Sequence, residues 1–162
     1  KTAYEIYQCD WSSDVCSSDL GLEGGQLRRS RFVDVSNKTA AAGLLTTAPD
    51  LVRFVDAWMD GRLVGPATRQ AMMSPYKPPR GDLVEAFGLG WFLDDFHGQP
   101  AVFYAGRTSQ VSGVVYAVPG KRVAIAVLFN LESVPGPDRL ALARQIAEVL
   151  TGEKPTPPKP AA

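Results

Sequence analysis

Two valine-rich segments joined by a short turn constrain the fold of this chain more than any other feature. Residues 111–118 alternate in character, and residues 123–129 (VAIAVLF) are almost wholly apolar. Pro119, Gly120 and Lys121 between them are typical of a hairpin turn. The pattern predicts two antiparallel strands. Because both faces of the second strand are apolar, we predict that it lies at the centre of a sheet.

Two further strands are predicted upstream of this hairpin. Residues 88–93 and 101–104 combine aromatic and aliphatic side chains in short runs, which is typical of strands. Turn-forming residues separate the two runs. The residues assigned to that turn are Asp95, His97, Gly98 and Pro100.

Two helices are predicted before the strands. Residues 47–50 (TAPD) place a capping hydroxyl, a first-turn proline and an acidic residue in the order that begins a helix. Apolar residues follow at helical spacing, and Gly61 can end the helix. A shorter helix is predicted over residues 66–73, where Ser74 and Pro75 end it.

A third helix is predicted from about residue 137 to residue 151, with Gly152 at its end. Its predicted buried stripe is Leu142, Ile146, Val149 and Leu150, with Arg139 and Arg144 on the outer face. Two helices, about four antiparallel strands and a final helix across the sheet define the α+β class.

The first twenty residues differ from the rest of the chain. Residues 1–6 (KTAYEI) and 10–19 (DWSSDVCSSD) resemble the translation of two parts of a sequencing-library adapter in one reading frame. The residues between them fit the variable index that separates those parts. We therefore interpret residues 1–20 as a disordered artefact outside the fold. This interpretation removes Cys9 and Cys16, and with them a disulfide or half a metal site.

Composition argues against two broad classes of function. Basic and acidic residues are equal in number, 17 of each, and no basic stripe indicates nucleic-acid binding. No apolar run approaches the roughly 18 residues that a membrane-spanning helix needs. We predict a globular domain with no cofactor, no metal and no nucleic acid.

The order of these segments resembles the second half of the β-lactamase-related serine hydrolases, which include class C β-lactamases, D-alanyl-D-alanine carboxypeptidases and esterases. The resemblance covers about residues 21–152. It implies the carboxy-terminal portion of the serine β-lactamase/penicillin-binding-protein-like fold, an antiparallel sheet flanked by helices. Residues 153–162 are predicted to be a disordered, proline-rich tail. The matching segments are residues 34–38 (DVSNK), 42–51 (AGLLTTAPDL), 87–91 (FGLGW) and 129–131 (FNL).

Enzymes of this family are expected to use a Ser-x-x-Lys pair, a Tyr-x-Asn-like motif and a Lys/His-x-Gly motif on a strand. The resemblance assigns the third motif to Tyr104, Ala105 and Gly106 at the catalytic site, and places Arg107 and Thr108 beside the substrate. For the last two, an ordinary polar strand end is an equally good interpretation. Tyr104 departs from the family pattern, because a phenol is uncharged at neutral pH and holds a carboxylate less well than a cation. The departure weakens the case for β-lactam or peptide-carboxylate recognition and leaves esterase chemistry more open.

Two other patterns are given no catalytic role. Residues 74–77 (SPYK) are the one Ser-x-x-Lys in the sequence, but Pro78 disfavours the helical turn that brings the amine beside the hydroxyl. No Tyr-x-Asn occurs. His97, the one histidine, lies near Asp94 and Asp95, and we interpret it as a solvated loop residue rather than a metal ligand.

The resemblance implies a parent enzyme that hydrolyses an ester, amide or β-lactam through an acyl-serine. The partner of that full-length protein is then a small-molecule or peptide substrate. The nucleophile and base of the parent enzyme are absent here, so we expect this chain to be inactive. The alternatives are a non-catalytic member of the fold that binds a ligand or peptide, and an unrelated α+β binding module. A periplasmic or secreted location is implied by the resemblance alone. We also expect marginal folding, because a sheet completed by an absent strand leaves an exposed edge.

Overall fold

The chain divides into two compact units. The computed structural model describes residues 20–24, 26–29, 46–79, 86–107, 111–131 and 138–155. The first unit comprises Lys1–Leu44, Arg107–Ser112 and Phe129–Pro135. The second comprises Leu45–Gly106, Gly113–Leu128 and Gly136–Ala162. The predicted tail lies outside the described residues from position 156 onward.

A small antiparallel hairpin belongs to the first unit. It consists of β1 (Leu20–Glu23) and β2 (Gln26–Arg29). Gly24 follows β1 with a φ of +57°, a conformation that glycine adopts without strain. The hairpin makes residues 20–23 and 26–29 extended, and residues 30–38 lie outside the described part. β1 begins at Leu20, the last residue of the segment interpreted as an artefact.

The helix α1 (Ala48–Met59) begins and ends as its sequence predicts. The Thr47 hydroxyl accepts a hydrogen bond from the Asp50 backbone N–H (3.3 Å) and donates one to the Asp50 carboxylate (2.8 Å). At the other end Gly61 has a φ of +74°. Its N–H and that of Arg62 donate to carbonyls of the last turn, at 3.0 and 2.9 Å. This is a Schellman motif, which favours glycine at the left-handed position.

Residues 88–91 form a turn where the sequence predicts the start of a strand. This turn comes after α2 (Pro66–Met72) and the loop that follows that helix. A Cβ on Gly88 would collide with the Met72 carbonyl oxygen, so this glycine lets the chain pass closely over the end of α2. The Gly88 N–H donates to the Trp91 carbonyl (2.8 Å), and Gly90 has a φ of +83°. The strand predicted from residue 88 therefore begins only at residue 92.

Four antiparallel strands form the main sheet, in the order β3-β4-β5-β6. Each strand lies beside the one that follows it in the sequence. The strands are β3 (Phe92–Phe96), β4 (Gln99–Arg107), β5 (Ser112–Val118) and β6 (Val123–Phe129). A short 3-10 turn, Pro119–Lys121, joins the last two strands where a hairpin turn is predicted.

A two-residue turn joins β3 to β4. His97 and Gly98 have φ values of +51° and +77°, which is typical of a type I′ turn. Asp95 and Pro100, which the sequence assigned to the turn, are instead paired residues of the two strands. The Asp95 carboxylate still supports the turn, because it accepts a hydrogen bond from the Gly98 N–H (3.0 Å).

Helices cover both faces of the sheet and confirm the predicted α+β class. α3 (Arg139–Thr151) packs on one face and α1 on the other. The core on the α3 side comprises Phe96, Ala101, Val114, Tyr116, Val118, Ile125, Ala143 and Ala147. The core on the α1 side comprises Val55, Trp58, Met59, Trp91, Val102 and Ala117.

β6 lies at an edge of the sheet that the described residues form, not at the predicted centre of those four strands. Its apolar character comes from the helices instead. Ile125 belongs to the core on the α3 side, and Ala124 packs against the core on the α1 side. A strand between two helical layers needs two apolar faces whether or not a strand lies on each side of it.

The buried face of α3 also differs from the predicted one. Ala143 and Ala147 are fully buried, and Ile146 packs beside them. Val149 and Leu150, which the sequence assigned to the buried stripe, are 82% and 65% exposed. Apolar residues surround much of this helix, so periodicity alone does not select a face. The two alanines, one turn apart, let the helix approach the sheet closely.

Candidate active site

The motif at residues 104–106 lies on β4 beyond the end of β3. Pairing between the two strands ends where Phe92 lies opposite Phe103. β4 continues to Arg107. Within the described part of the chain, no strand pairs with residues 104–106 on the side of β4 that faces β3. We call this side, over these three residues, the open edge of β4.

The backbone of Ala105 points toward the open edge. In an antiparallel pair, opposite residues alternate between those that exchange two hydrogen bonds and those that exchange none. Phe96 and Gln99 close the two-residue hairpin and form a bonded pair, and the alternation makes Phe92 and Phe103 another. Ala105 comes two residues after Phe103, so its N–H and C=O lie on the same side.

The Tyr104 side chain is on the opposite face of β4 from that of Ala105, which packs against the core on the α3 side. Tyr104 is 51% exposed. Its ring contacts that of Phe92, with the centroids 5.9 Å apart. The residue that departs from the family motif is therefore an exposed phenol beside the open edge.

Gly106 is exposed, and a Cβ built on it meets no atom within 4 Å. The described residues therefore do not require glycine at this position for packing. The space above the Gly106 backbone is open, as the close approach of a substrate would need.

The two residues assigned to substrate binding are placed only in part. Arg107 is the exposed last residue of β4 and belongs to the first unit. Thr108 lies outside the described residues. Their role stays a prediction.

The structure does not arrange Ser74 and Lys77 as a nucleophile and its base. α2 ends at Met72, and the Ser74 hydroxyl donates to the Gln70 carbonyl (2.8 Å). The chain then extends, and the Tyr76 N–H donates to the Phe87 carbonyl (2.8 Å). Because residues 74–77 do not continue the helix, the one-turn spacing that the chemistry needs is absent.

A polar cluster between β3 and α3 was missed by the sequence reasoning. The Tyr116 phenol donates to Asp94 (2.9 Å), and Arg144 donates to both Asp94 oxygens (2.8 and 2.7 Å). Only 24% of the Arg144 side chain is exposed, so its prediction as an outer-face residue is wrong. The signal was available, because Asp94 alternates with Phe92 and Phe96 and must face the same side of the sheet.

Tyr116 is the fully buried member of this cluster. Burial, and after it the negative charge of Asp94, raise the pKa of the Tyr116 phenol well above its usual range. The phenol therefore stays protonated at neutral pH and acts as a hydrogen-bond donor. Its role in the described structure is to hold Asp94 in place.

His97 is not simply a solvated loop residue. Its Nε2 lies 3.2 Å from a carboxylate oxygen of Glu148, a residue of α3 that is almost completely buried. The contact joins the β3–β4 turn to α3 and provides a partner for a buried acid. Among the described residues, no three His, Cys, Asp or Glu side chains gather as a metal site requires.

The layered fold, four antiparallel strands between helices, defines the class of protein as a β-lactamase-like domain, present here in part. The model of the Beta-lactamase family matches residues 10–151, and the chain belongs to that family. The match includes residues 10–19, and the interpretation of residues 1–20 as an artefact stays a prediction.

A solved structure shows the same fold. The octameric penicillin-binding protein homologue from Pyrococcus abyssi matches with a TM-score of 0.69 and 22% identity, over 88% of this chain and 32% of that one. D-amino acid amidase from Ochrobactrum anthropi SV3, complexed with D-phenylalanine, matches with a TM-score of 0.47 and 20% identity, over 66% and 36%. The chain thus spans about a third of each. None of the curated proteins compared with the chain matches it.

Proposed function

We propose that this chain is the carboxy-terminal part of a serine hydrolase whose upstream segment supplies the nucleophile and its base. The longer enzyme cleaves an ester, amide or β-lactam in two steps. The serine oxygen bonds to the carbonyl carbon, the base takes the serine proton, and the leaving group departs with a proton. Water then releases the acyl group. Membership of the Beta-lactamase family supports this reaction class.

The open edge of β4 is the observation that carries the proposal. The Ala105 N–H points to a side of the strand that no described strand covers. A carbonyl oxygen bound there gains a donor for the negative charge that develops in the tetrahedral intermediate. β5 on the other side of β4, and the core packed against Ala105, keep this donor in position. Such a donor needs no reorganisation during the reaction.

The Tyr104 side chain favours ester substrates over substrates that carry a carboxylate. Its exposed phenol can donate or accept one hydrogen bond but brings no positive charge to the site. The same feature favours the second candidate function, a non-catalytic member that binds a ligand or an extended peptide. An open strand edge suits a peptide, because main-chain hydrogen bonds can add it as a further strand.

The partner in either case is a small molecule or a peptide. None of the described helices has the length and apolar character needed to cross a membrane. No described group of side chains offers a metal site.

Covalent labelling tests the proposal. A fluorophosphonate, which reacts with activated serine hydroxyls, is applied to the longer protein and to this chain, and adducts are located by peptide mass spectrometry. We expect one labelled serine in the upstream segment and none in this chain. Ser74→Ala is the matched control and leaves labelling unchanged. A longer protein without an adduct favours the binding alternative, and an adduct at Ser74 contradicts the site described above.

A further inference from the structure

Two aromatic side chains beside the open edge carry an inference about the substrate, which rests on the proposed function. Phe92 is the first residue of β3, and Tyr104 is the first residue of β4 beyond its pairing with β3. They are 37% and 51% exposed, although both are large and aromatic. Their ring centroids are 5.9 Å apart. Phe92 lies on the α3 face of the sheet, opposite Phe103, and Tyr104 lies on the other face, so the two rings meet around the end of β3. We call this pair the aromatic wall.

The aromatic wall is held in place by residues behind it. The Phe92 ring meets Phe87 edge-to-face at 4.8 Å between centroids, and it stacks on Phe103 at 5.2 Å. The Phe87 backbone is fixed in turn by a bridge to Phe92 and by the hydrogen bond from Tyr76. A ligand that packs on Phe92 therefore does not have to order the ring first, and binding loses less conformational entropy.

The position of the aromatic wall relative to Ala105 determines which part of the substrate contacts the two rings. The Ala105 N–H is directed to the open edge, where a carbonyl oxygen binds. Tyr104 is the residue before Ala105 on β4. Phe92 is the first residue of β3, the strand whose pairing with β4 stops short of the open edge. A substituent on the carbonyl carbon therefore lies within reach of the two rings.

We propose that the aromatic wall binds the acyl side of the substrate, and that the preferred acyl group is aromatic or bulky and apolar. Both side chains are uncharged at neutral pH, so they offer no ion pair to a substrate carboxylate. Aromatic rings at centroid distances of about 4.5–7 Å attract one another beyond the effect of burial alone. Phe92 and Tyr104 are thus specificity-determining residues, and the Ala105 N–H is the common anchor for every substrate.

Two esters with one leaving group test this assignment in the longer protein. The measurement is the ratio of kcat/KM for p-nitrophenyl phenylacetate to that for p-nitrophenyl acetate. We expect the wild-type protein to favour the phenylacetate and Phe92→Ala to lower the ratio about fivefold. Tyr104→Phe keeps the ring and leaves the ratio unchanged. The ratio does not depend on the folded fraction, because the same enzyme molecules cleave both esters.

Phe54→Ala is the matched control, since Phe54 is an exposed phenylalanine on α1 at 54%. It leaves the ratio unchanged. A ratio that is the same in Phe92→Ala and wild type, or that falls equally in Phe54→Ala, overturns the assignment while hydrolysis itself upholds the proposed function. A longer protein that cleaves neither ester and takes no fluorophosphonate label overturns the proposed function and the assignment with it.

Discussion

Arg144 on α3 donates to both carboxylate oxygens of Asp94 on β3, at 2.8 and 2.7 Å. The buried Tyr116 phenol donates to the same carboxylate. These contacts form a polar link between the sheet and α3. Because the carboxylate has donors on two elements, it fixes how the β3–β4 hairpin lies against α3.

Removal of this carboxylate destabilises the fold. In Asp94→Ala, the phenol and the guanidinium both lose their acceptor inside the protein. We expect the free energy of unfolding to fall by about 2–3 kcal/mol in urea denaturation. Tyr116→Phe removes one donor only and lowers it by about 1 kcal/mol. Asp60→Ala, in an exposed ion pair with Arg122, is the control and has a much smaller effect. Equal losses in Asp94→Ala and Asp60→Ala would contradict this role.

Stability decreases at alkaline pH because of Tyr116. Its pKa is raised in the folded chain, whereas a phenol in the unfolded chain ionises near pH 10. The contribution of the Tyr116 phenol to the free energy of unfolding is fully present below about pH 10. It is lost above that pH, since the unfolded chain releases a proton that the folded chain retains. We expect the urea midpoint to fall from about pH 10 upward, and to fall less steeply in Tyr116→Phe. The same slope in both proteins would refute the assignment.

Two glycines of the β3–β4 region respond differently to alanine. Gly98 has a left-handed φ of +77°, so Gly98→Ala costs about 1–2 kcal/mol of unfolding free energy. Gly106 has open space at its Cβ position, and Gly106→Ala changes stability by less than about 0.5 kcal/mol. In the longer enzyme we expect the reverse order for kcat/KM, with Gly106→Ala lowering it about tenfold or more. Normal hydrolysis by Gly106→Ala would count against a site at the open edge.

Substitutions on the buried and the exposed faces of α3 test which face of this helix packs on the sheet. Ala147→Leu places extra volume in a packed core and lowers the unfolding free energy by about 1–3 kcal/mol. Val149→Ala removes an exposed side chain and changes it by less than about 0.5 kcal/mol. Thermal or urea unfolding of the two variants decides the matter. The opposite ranking would favour the stripe predicted from periodicity.

Features that depend on neighbouring residues were predictable from the sequence. The start of α1 needs only Thr47 and Asp50, three residues apart, and its end needs only Gly61. The left-handed turn at Gly98 has the same local origin. The buried face of α3 was mispredicted, and β6 lies at the edge of the described sheet, because each position is decided by layers of the structure that are distant in sequence.

The candidate site shows the same division between features set by neighbouring residues and features set by distant ones. The resemblance assigns the third motif to Tyr104, Ala105 and Gly106, which stays a prediction, and it could not reveal the open edge. That edge exists because the turn at residues 88–91 delays the start of β3, and Gly88 ties this turn to the end of α2. The cluster around Asp94 was missed for a similar reason. Its partners lie 22 and 50 residues away along the chain.

The strand order has a consequence for how the main sheet forms. Each strand pairs with its successor in the sequence, and only two or a few residues join β3 to β4 and β5 to β6. Such connections have a small loop-closure entropy, and hairpins form in about 1–10 μs. Low contact order of this kind is associated with rapid folding. The sheet can therefore nucleate within a stretch of about forty residues, in the order in which the chain emerges from synthesis.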